Sequence, residues 1–344
     1  MKECGKKEAG SYITQISRIV TVELRKLLKN DSLSATETGV IMCTAIGIDT
    51  AGQSARYMGV SRSLMSKTVE NLVRGGVSLQ TCALFAGSKG MADHPYERAI
   101  AQYNEFNRLA REEGWEKAGS PLDAHEGKVK ILLSVEGGEI FEGNPDRVDE
   151  LYGYGVRMAG VTWNNENEMG HPAKHGSREG IKPRGWDVLR RMAEYKIGVD
   201  TSHLNEAGFW DLIDRHSQPP LASHSCAKAL RPHFRNLSDE QIRAMVERGG
   251  WIGVNFYPWF LGDSERAVAE DIVTHIDYMC QLGAHKHVGF GSDFDGIEVW
   301  PEDCDSPAGI SLVIDGLRRR GYSEEAIADI AGRNFLDYYK RLGW

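Results

Sequence analysis

The sequence predicts an α/β fold, a (β/α)8 TIM-like barrel with an additional N-terminal helix. Two patterns and one absence point there. Eight short apolar runs end in glycine, polar or acidic residues. Segments with helical spacing lie between them, the signature of βαβ units and a parallel sheet. Eight such units in a chain of 344 residues suit a closed barrel. An open doubly wound sheet would want a glycine-rich phosphate turn after an early strand. Neither GxGxxG nor GxxxxGK followed by Ser or Thr occurs.

Residues 1–34 are charged and then helical in spacing, and are expected to pack as the additional helix. They contain no unbroken apolar stretch and no small-residue cleavage site, so no signal peptide is expected. The first run, GVIMCTAIGID, ends at Asp49, and Ser63–Arg74 follows with helical spacing. GGVSLQTCALFAG ends near Gly87 and leads to a helix over Tyr96–Glu113. KVKILLSVEGG ends at Glu136, and GVRMAGVTWNN ends at Asn164. Residues 164–185 are polar and glycine-rich, which predicts a long βα loop over the barrel mouth. A helix over Trp186–Tyr195 precedes KIGVDTSHLN, which ends at His203. PPLASHSCAKAL carries His224 and leads to a helix over Ser238–Arg248. GGWIGVNFYPWF ends near Tyr257, and Ala267–Leu282 leads to HKHVGFGSDFDG, ending at Asp293. Helices over Ile310–Arg320 and residues 323–344 complete the chain, the last with Ser323 as N-cap and Glu325 in its first turn. Residues 1–344 are expected to form one domain.

Composition narrows the function classes. Lys plus Arg total 41 against 49 Asp plus Glu, a net charge of −8. A mildly acidic, well-mixed surface argues against nucleic acid or an anionic membrane as partner. No stretch approaches about 18 uncharged apolar residues, so no spanning helix is expected. The six cysteines are scattered without a CxxC pair, the pattern of reduced structural thiols. A cytoplasmic protein is expected, and a homodimer is compatible with the sequence.

Asp49, Glu136, His203, His224 and Asp293 all fall at the C-terminal ends of predicted strands. In a barrel those ends converge on one face. Buried carboxylates and imidazoles are costly unless paired, and a divalent cation is the simplest common partner. His with carboxylate suits zinc. Taken singly, His203 and His224 are as readily read as capping or core imidazoles, with Ser223 and Ser225 capping the next helix. Glu136 is harder to explain by packing, because a Val, Ile and Leu strand has little structural reason to end on it. Strand alternation would put Asp293 and Asp295 on one face; Asp293 is preferred because Asp295 abuts the turn glycine Gly296. His94, His171 and His175 are expected at the surface.

The motifs SVEGG, TSHLN, ASHS, RNLSDEQIRAMVERGGWIGVNFYP and HVGFGSDFDG resemble the membrane (renal) dipeptidase family of zinc metallopeptidases. RGGVSLQTCALF is similar to its second strand, and GVTWNNENEMG to the fourth strand of its bacterial members. The resemblance runs from about Gly39 to about Arg341 with the motifs in family order. It implies a barrel that holds two zinc ions bridged by one Glu and hydrolyses dipeptides. By resemblance, Glu136 is the bridging carboxylate, His203 and His224 serve the second zinc, and Asp293 handles the proton and the substrate amine. Arg235 is similar to the arginine that binds the substrate carboxylate. Trp163, Asn164 and Tyr257 are implied to contact substrate, Trp163 standing where mammalian members carry a His.

The first strand departs from the family. A His-x-Asp pair is expected there, and Gly47-Ile48-Asp49 stands in its place. Asp49 remains as a metal ligand, whereas Gly47 offers no side chain. One tightly held zinc is therefore expected instead of two, unless Cys43 or a loop histidine completes the site. The alternative is a catalytically impaired barrel that keeps its pocket as a binding module. A different metal-dependent amidohydrolase acting on cyclic amides or lactams would want His-x-His on the first strand, which is absent.

Overall fold

Apolar runs buried on both faces pair in parallel, and the chain does this from its second expected strand onward. The structure, a computed structural model, describes residues 75–86, 94–124, 129–263 and 266–344, all within a compact unit spanning Glu70–Trp344. The expected N-terminal helix, the strand ending at Asp49 and the helix over Ser63–Arg74 lie outside the described residues.

Strand β1 (Leu79–Phe85) is followed by α1 (Pro95–Glu113), a two-residue strand β2 (Glu116–Lys117) and β3 (Lys130–Glu136). Then come α2 (Asp146–Tyr154), β4 (Val156–Gly160), α3 (Pro183–Glu194), β5 (Gly198–Asp200), α4 (Glu206–Arg215) and β6 (Leu221–Ala222). The described chain closes with α5 (Asp239–Glu247), β7 (Trp251–Val254), α6 (Ala269–Gln281), β8 (Val288–Phe290), α7 (Ile310–Arg319), α8 (Glu324–Ala328) and α9 (Asn334–Leu342). Every pairing in the sheet is parallel, in the order β1-β3-β4-β5-β6-β7-β8, with β2 beside β3. The sheet curls as a TIM-like barrel does, and all its strands point the same way. Every residue of β4, β5, β6 and β7 is buried, as expected when helices cover a parallel sheet.

Local chemistry sets the helix ends. Ser238 and Gln241 form a reciprocal capping box on α5, a device worth about 1 kcal/mol. The start of α4 is capped by Asn205, whose side chain accepts from Gly208 N at 2.9 Å. The last expected helix is not continuous. Ser323 caps α8 as expected, accepting from Ala326 N at 3.2 Å. Residues Asp329–Arg333 then form a wider turn in which Gly332 leaves helical geometry, because glycine is a poor helix former.

That break lets α9 turn beneath the sheet. Tyr338 and Tyr339 are fully buried among Leu132, Met158, Leu221 and Trp251. Their hydroxyls donate to Pro219 O and Arg157 O, each at 3.0 Å, both at the N-terminal ends of strands. This end of the sheet is plugged by side chains, leaving the opposite end for polar groups. Near that opposite end, Gly253 and Gly291 approach the carbonyl of Ser223 so closely that a Cβ on either would lie 2.2 or 2.0 Å from it. Among the described residues no helix is long and apolar enough to cross a membrane, and Cys82, Cys226, Cys280 and Cys304 are free thiols.

His216 ends α4 in the interior with Nε2 unpartnered. Burial, with Arg248 alongside, lowers its pKa to about 4. The fold therefore holds it neutral, whereas the unfolded chain takes up a proton near pH 6.5. The stabilisation is fully present above pH 6.5 and is lost as pH falls towards 4, a loss of roughly 3 kcal/mol. Urea midpoints should fall across that window, and a His216→Leu variant should lose measurably less over the same range. Equal slopes for the two proteins would show that His216 does not titrate this way.

Candidate metal centre

Glu136 is the last residue of β3, and its carboxylate stands at the C-terminal end of the sheet. His203 lies three residues beyond β5 and His224 two beyond β6. Curling of the sheet brings the three together. His203 Nε2 is 3.3 Å from Glu136 Oε1 and 3.0 Å from His224 Nε2, and His224 Nε2 is 3.7 Å from the same carboxylate oxygen. All three ligand atoms lie within 4.8 Å of one another.

The outer nitrogens of both rings have partners. His203 Nδ1 is 3.0 Å from Asn164 Oδ1, which can only accept, so Nδ1 carries the proton and Nε2 is a bare lone pair. His224 Nδ1 is 2.7 Å from Ser223 Oγ. Burial, with Arg235 nearby, pushes both imidazoles well below their ordinary pKa, so neither readily charges to relieve the other. Two facing imidazole nitrogens beside a carboxylate oxygen repel unless a proton or a metal cation lies between them, and one proton on Glu136 can serve only one of the two nitrogens. Two imidazoles and a carboxylate are the donor set of a catalytic zinc-type site with an open position, so the residues fit a divalent metal.

The other carboxylates supply charge around this point. Glu136 is raised to about 8 by burial, with Asp293 and Asp200 adding to the shift and Arg235 opposing it. Asp293 is raised to about 6, again chiefly by burial, while Asn255 Nδ2 donates to its Oδ2 at 3.2 Å. Arg235 is buried, with Nη2 donating weakly to His224 O at 3.5 Å and Nε unpartnered. It forms no ion pair among the described residues. Burial lowers its pKa to about 10 against the pull of Asp200, Glu136 and Asp293.

Two of these residues sit in left-handed backbone, His203 at φ 69° and Asp293 at φ 62°. That region costs a non-glycine residue about 1–2 kcal/mol. Such strain persists where surrounding contacts fix it, and it clusters at functional sites. The His203 turn is stitched to the long loop: Ala173 N donates to His203 O at 2.8 Å and Asn205 N to His171 O at 3.1 Å.

Several expectations need correction. Asp293, like His203, lies three residues past its strand, and its left-handed turn breaks the alternation that would have aligned it with Asp295. Ser223 and Ser225 cap no helix, since α5 begins at Asp239. His171 is buried, not at the surface, with its ring nitrogens 3.6 Å from Glu166 and 3.4 Å from Glu179. The long loop around it is partly interior as well: Asn167 Oδ1 accepts from Met169 N and Gly170 N, and its Nδ2 donates to Val161 O. Trp163 packs edge-on against Phe85 at 4.9 Å and lies 6.0 Å from the His203 ring. Tyr257 packs edge-on against Phe260 at 5.0 Å, and that Phe260 ring lies 5.6 Å from the Arg235 guanidinium. Asp49 lies outside the described residues. Sequence reasoning passed over Asp200, Ser202 and Asn255, whose only signal was polarity near a strand end.

Comparison with known proteins agrees with the geometry. The family described as membrane dipeptidase, peptidase family M19, matches residues 49–341. An uncharacterised protein from the pqqA 5′ region of Klebsiella pneumoniae is 35% identical over 228 residues, 63% of this chain and 84% of that protein. An uncharacterised dipeptidase of Schizosaccharomyces pombe is 33% identical over 232 residues, 64% of this chain. The matched stretch spans only 57% of the yeast protein's length. A metallopeptidase from Rhodobacter sphaeroides, solved with a phosphinate mimic of the dipeptide L-Ala-D-Ala, superposes with a TM-score of 0.74 at 25% identity, covering 80% of this chain and 90% of that one.

Proposed function

The chain belongs to the membrane dipeptidase family, peptidase family M19, and from that premise we propose that it hydrolyses the peptide bond of a dipeptide with a free C-terminal carboxylate. The observation that carries the reading is the meeting of Glu136, His203 and His224 beside a buried Arg235 that forms no ion pair among the described residues. The three ligands would hold a divalent cation, and the donor set favours zinc. Such an ion, when bound, supplies an acidified water and polarises the scissile carbonyl.

The remaining steps belong to the side chains. Arg235 would pair with the substrate carboxylate through charge-assisted bonds, fixing the peptide at one end. Asp293, raised towards neutrality and held by Asn255, would take a proton and return it to the departing amine. Trp163 and Tyr257 would line the pocket. Asn164 would act through His203, whose ring it holds. The Rhodobacter structure's phosphinate mimic makes L-Ala-D-Ala the first substrate to try. Purified protein supplied with zinc should cleave it, lose activity to a chelator and recover on readdition. Binding without cleavage would return the chain to the class of binding modules.

Metal stoichiometry gives a second test. Gly47 stands where the family's first-strand His is expected, leaving Asp49 and a share of Glu136 for a further ion. Carboxylates without imidazole hold zinc weakly. About one zinc should survive exhaustive dialysis per chain, and Gly47→His should raise both zinc content and turnover. Two tight ions in the natural chain would overturn this.

A further inference from the structure

His224 is held by a hydrogen-bonded chain that reaches across two strands. Asp200, the last residue of β5, accepts from three donors. Its Oδ1 takes Ser202 N at 2.9 Å and Ser223 N at 2.8 Å, and its Oδ2 takes the Ser223 hydroxyl. Ser223 Oγ in turn lies 2.7 Å from His224 Nδ1, and Ser202 Oγ accepts from His224 N at 3.0 Å. A serine has one hydroxyl proton, and the nearer, charged carboxylate of Asp200 takes it in preference to Ser202 Oγ, 3.3 Å from Ser223 Oγ. With that proton given to Asp200, Oγ can only accept from the ring, so Nδ1 must carry the imidazole proton. The chain therefore has one direction, His224 to Ser223 to Asp200, and it leaves Nε2 bare.

We infer that Asp200 and Ser223 are positioning residues that set the tautomer and orientation of His224, aiming its Nε2 lone pair at the point shared with Glu136 and His203. The inference rests on the metal reading of that site but is tested without it. It explains why a serine stands between β6 and the histidine, and why the side-chain hydrogen bonds of Asp200 go to the β5 and β6 turns. His203 is held differently, by Asn164 from the loop after β4. One ligand is thus fixed from within the sheet and the other from the loop above it.

The decisive variant is Asp200→Asn, which keeps size and shape. Two backbone N–H groups point at Oδ1, so the amide oxygen must sit there and the NH2 must face Ser223 Oγ. The serine then accepts from the introduced amide and donates to His224 Nδ1. The ring proton moves to Nε2, where it blocks a metal. Ser223→Ala removes the bias without reversing it, and Ser223→Thr restores a hydroxyl.

Nitrogen NMR of the imidazoles in metal-free protein reads the tautomer directly. The natural chain should show His224 protonated at Nδ1, Asp200→Asn at Nε2, and Ser223→Ala a mixture. Zinc affinity, measured by competition with a chromogenic chelator, should fall about 10- to 100-fold in Ser223→Ala and further in Asp200→Asn, with recovery in Ser223→Thr. A chain that took up no zinc would sink the metal reading while the tautomer measurement still decided the relay. An unchanged His224 tautomer in both Asp200→Asn and Ser223→Ala would overturn the inference.

Discussion

Replacing His203 by alanine will strip the chain of tightly bound metal and lower dipeptide hydrolysis about a thousandfold, equivalent to about 4 kcal/mol of transition-state stabilisation. The site then keeps one imidazole and one carboxylate, His224 and Glu136, too few ligands to hold zinc against dialysis. The fold should survive. The left-handed backbone at residue 203 is anchored by Ala173 N and by the neighbouring Asn205 contacts, none of which involves the ring. In metal-free protein the change even removes a nitrogen that faces His224 Nε2 at 3.0 Å. Stability should therefore be unchanged or higher in chelator. Added zinc is where the proteins part: a ligand at a thousand times its Kd stabilises the natural chain by about 4 kcal/mol, and the variant should gain nothing. Metal analysis after dialysis and thermal melts with and without zinc check both halves. Full zinc occupancy in His203→Ala would show that the ligand assignment is wrong.

How much of this was legible in the sequence differs from element to element. The strands β3, β4 and β7 announce themselves because buried parallel strands are nearly all apolar, and Glu136 stands out where such a run stops. His203 and His224 could be placed near strand ends for the same reason. Their convergence required only the topology, not side-chain detail. Asp293 was harder, since its turn depends on a left-handed residue, and propensity does not favour aspartate in that conformation strongly enough to reveal it. Asp200 and Ser223 were invisible for a different cause. Their partnership is a contact across β5 and β6, between residues 23 apart, fixed by register. A serine before a histidine reads locally as a cap. The same holds for His171: polar neighbours in sequence suggested solvent, but pairing of Pro172 with Leu204 draws the loop inward. The break between α8 and α9 hinges on Gly332, a single glycine that helical periodicity passes over.

Replacing Arg235 by methionine should separate activity from stability, and the two effects should have opposite signs. The guanidinium is buried and makes no ion pair among the described residues, so the carboxylates of Asp200, Glu136 and Asp293 offset its desolvation only in part. Its pKa falls from the ordinary 12.5 to about 10 despite three carboxylates in range, a net cost of roughly 3 kcal/mol to the ligand-free fold. Methionine fills similar space without that cost, so the ligand-free variant should melt no lower than the natural chain and is expected to melt higher. Function should move the other way. A dipeptide carboxylate loses its charge-assisted partner, worth about 3–5 kcal/mol in a desolvated site, so kcat/KM for L-Ala-D-Ala should drop by about two to four orders of magnitude, mostly through KM. A C-terminally amidated dipeptide brings no carboxylate and should be cleaved equally poorly by both proteins. That contrast isolates carboxylate recognition from general damage to the pocket, because a collapsed site would slow both substrates alike. Equal losses on the two substrates, or a variant that melts well below the natural chain, would mean that Arg235 holds the site together instead of reading the substrate.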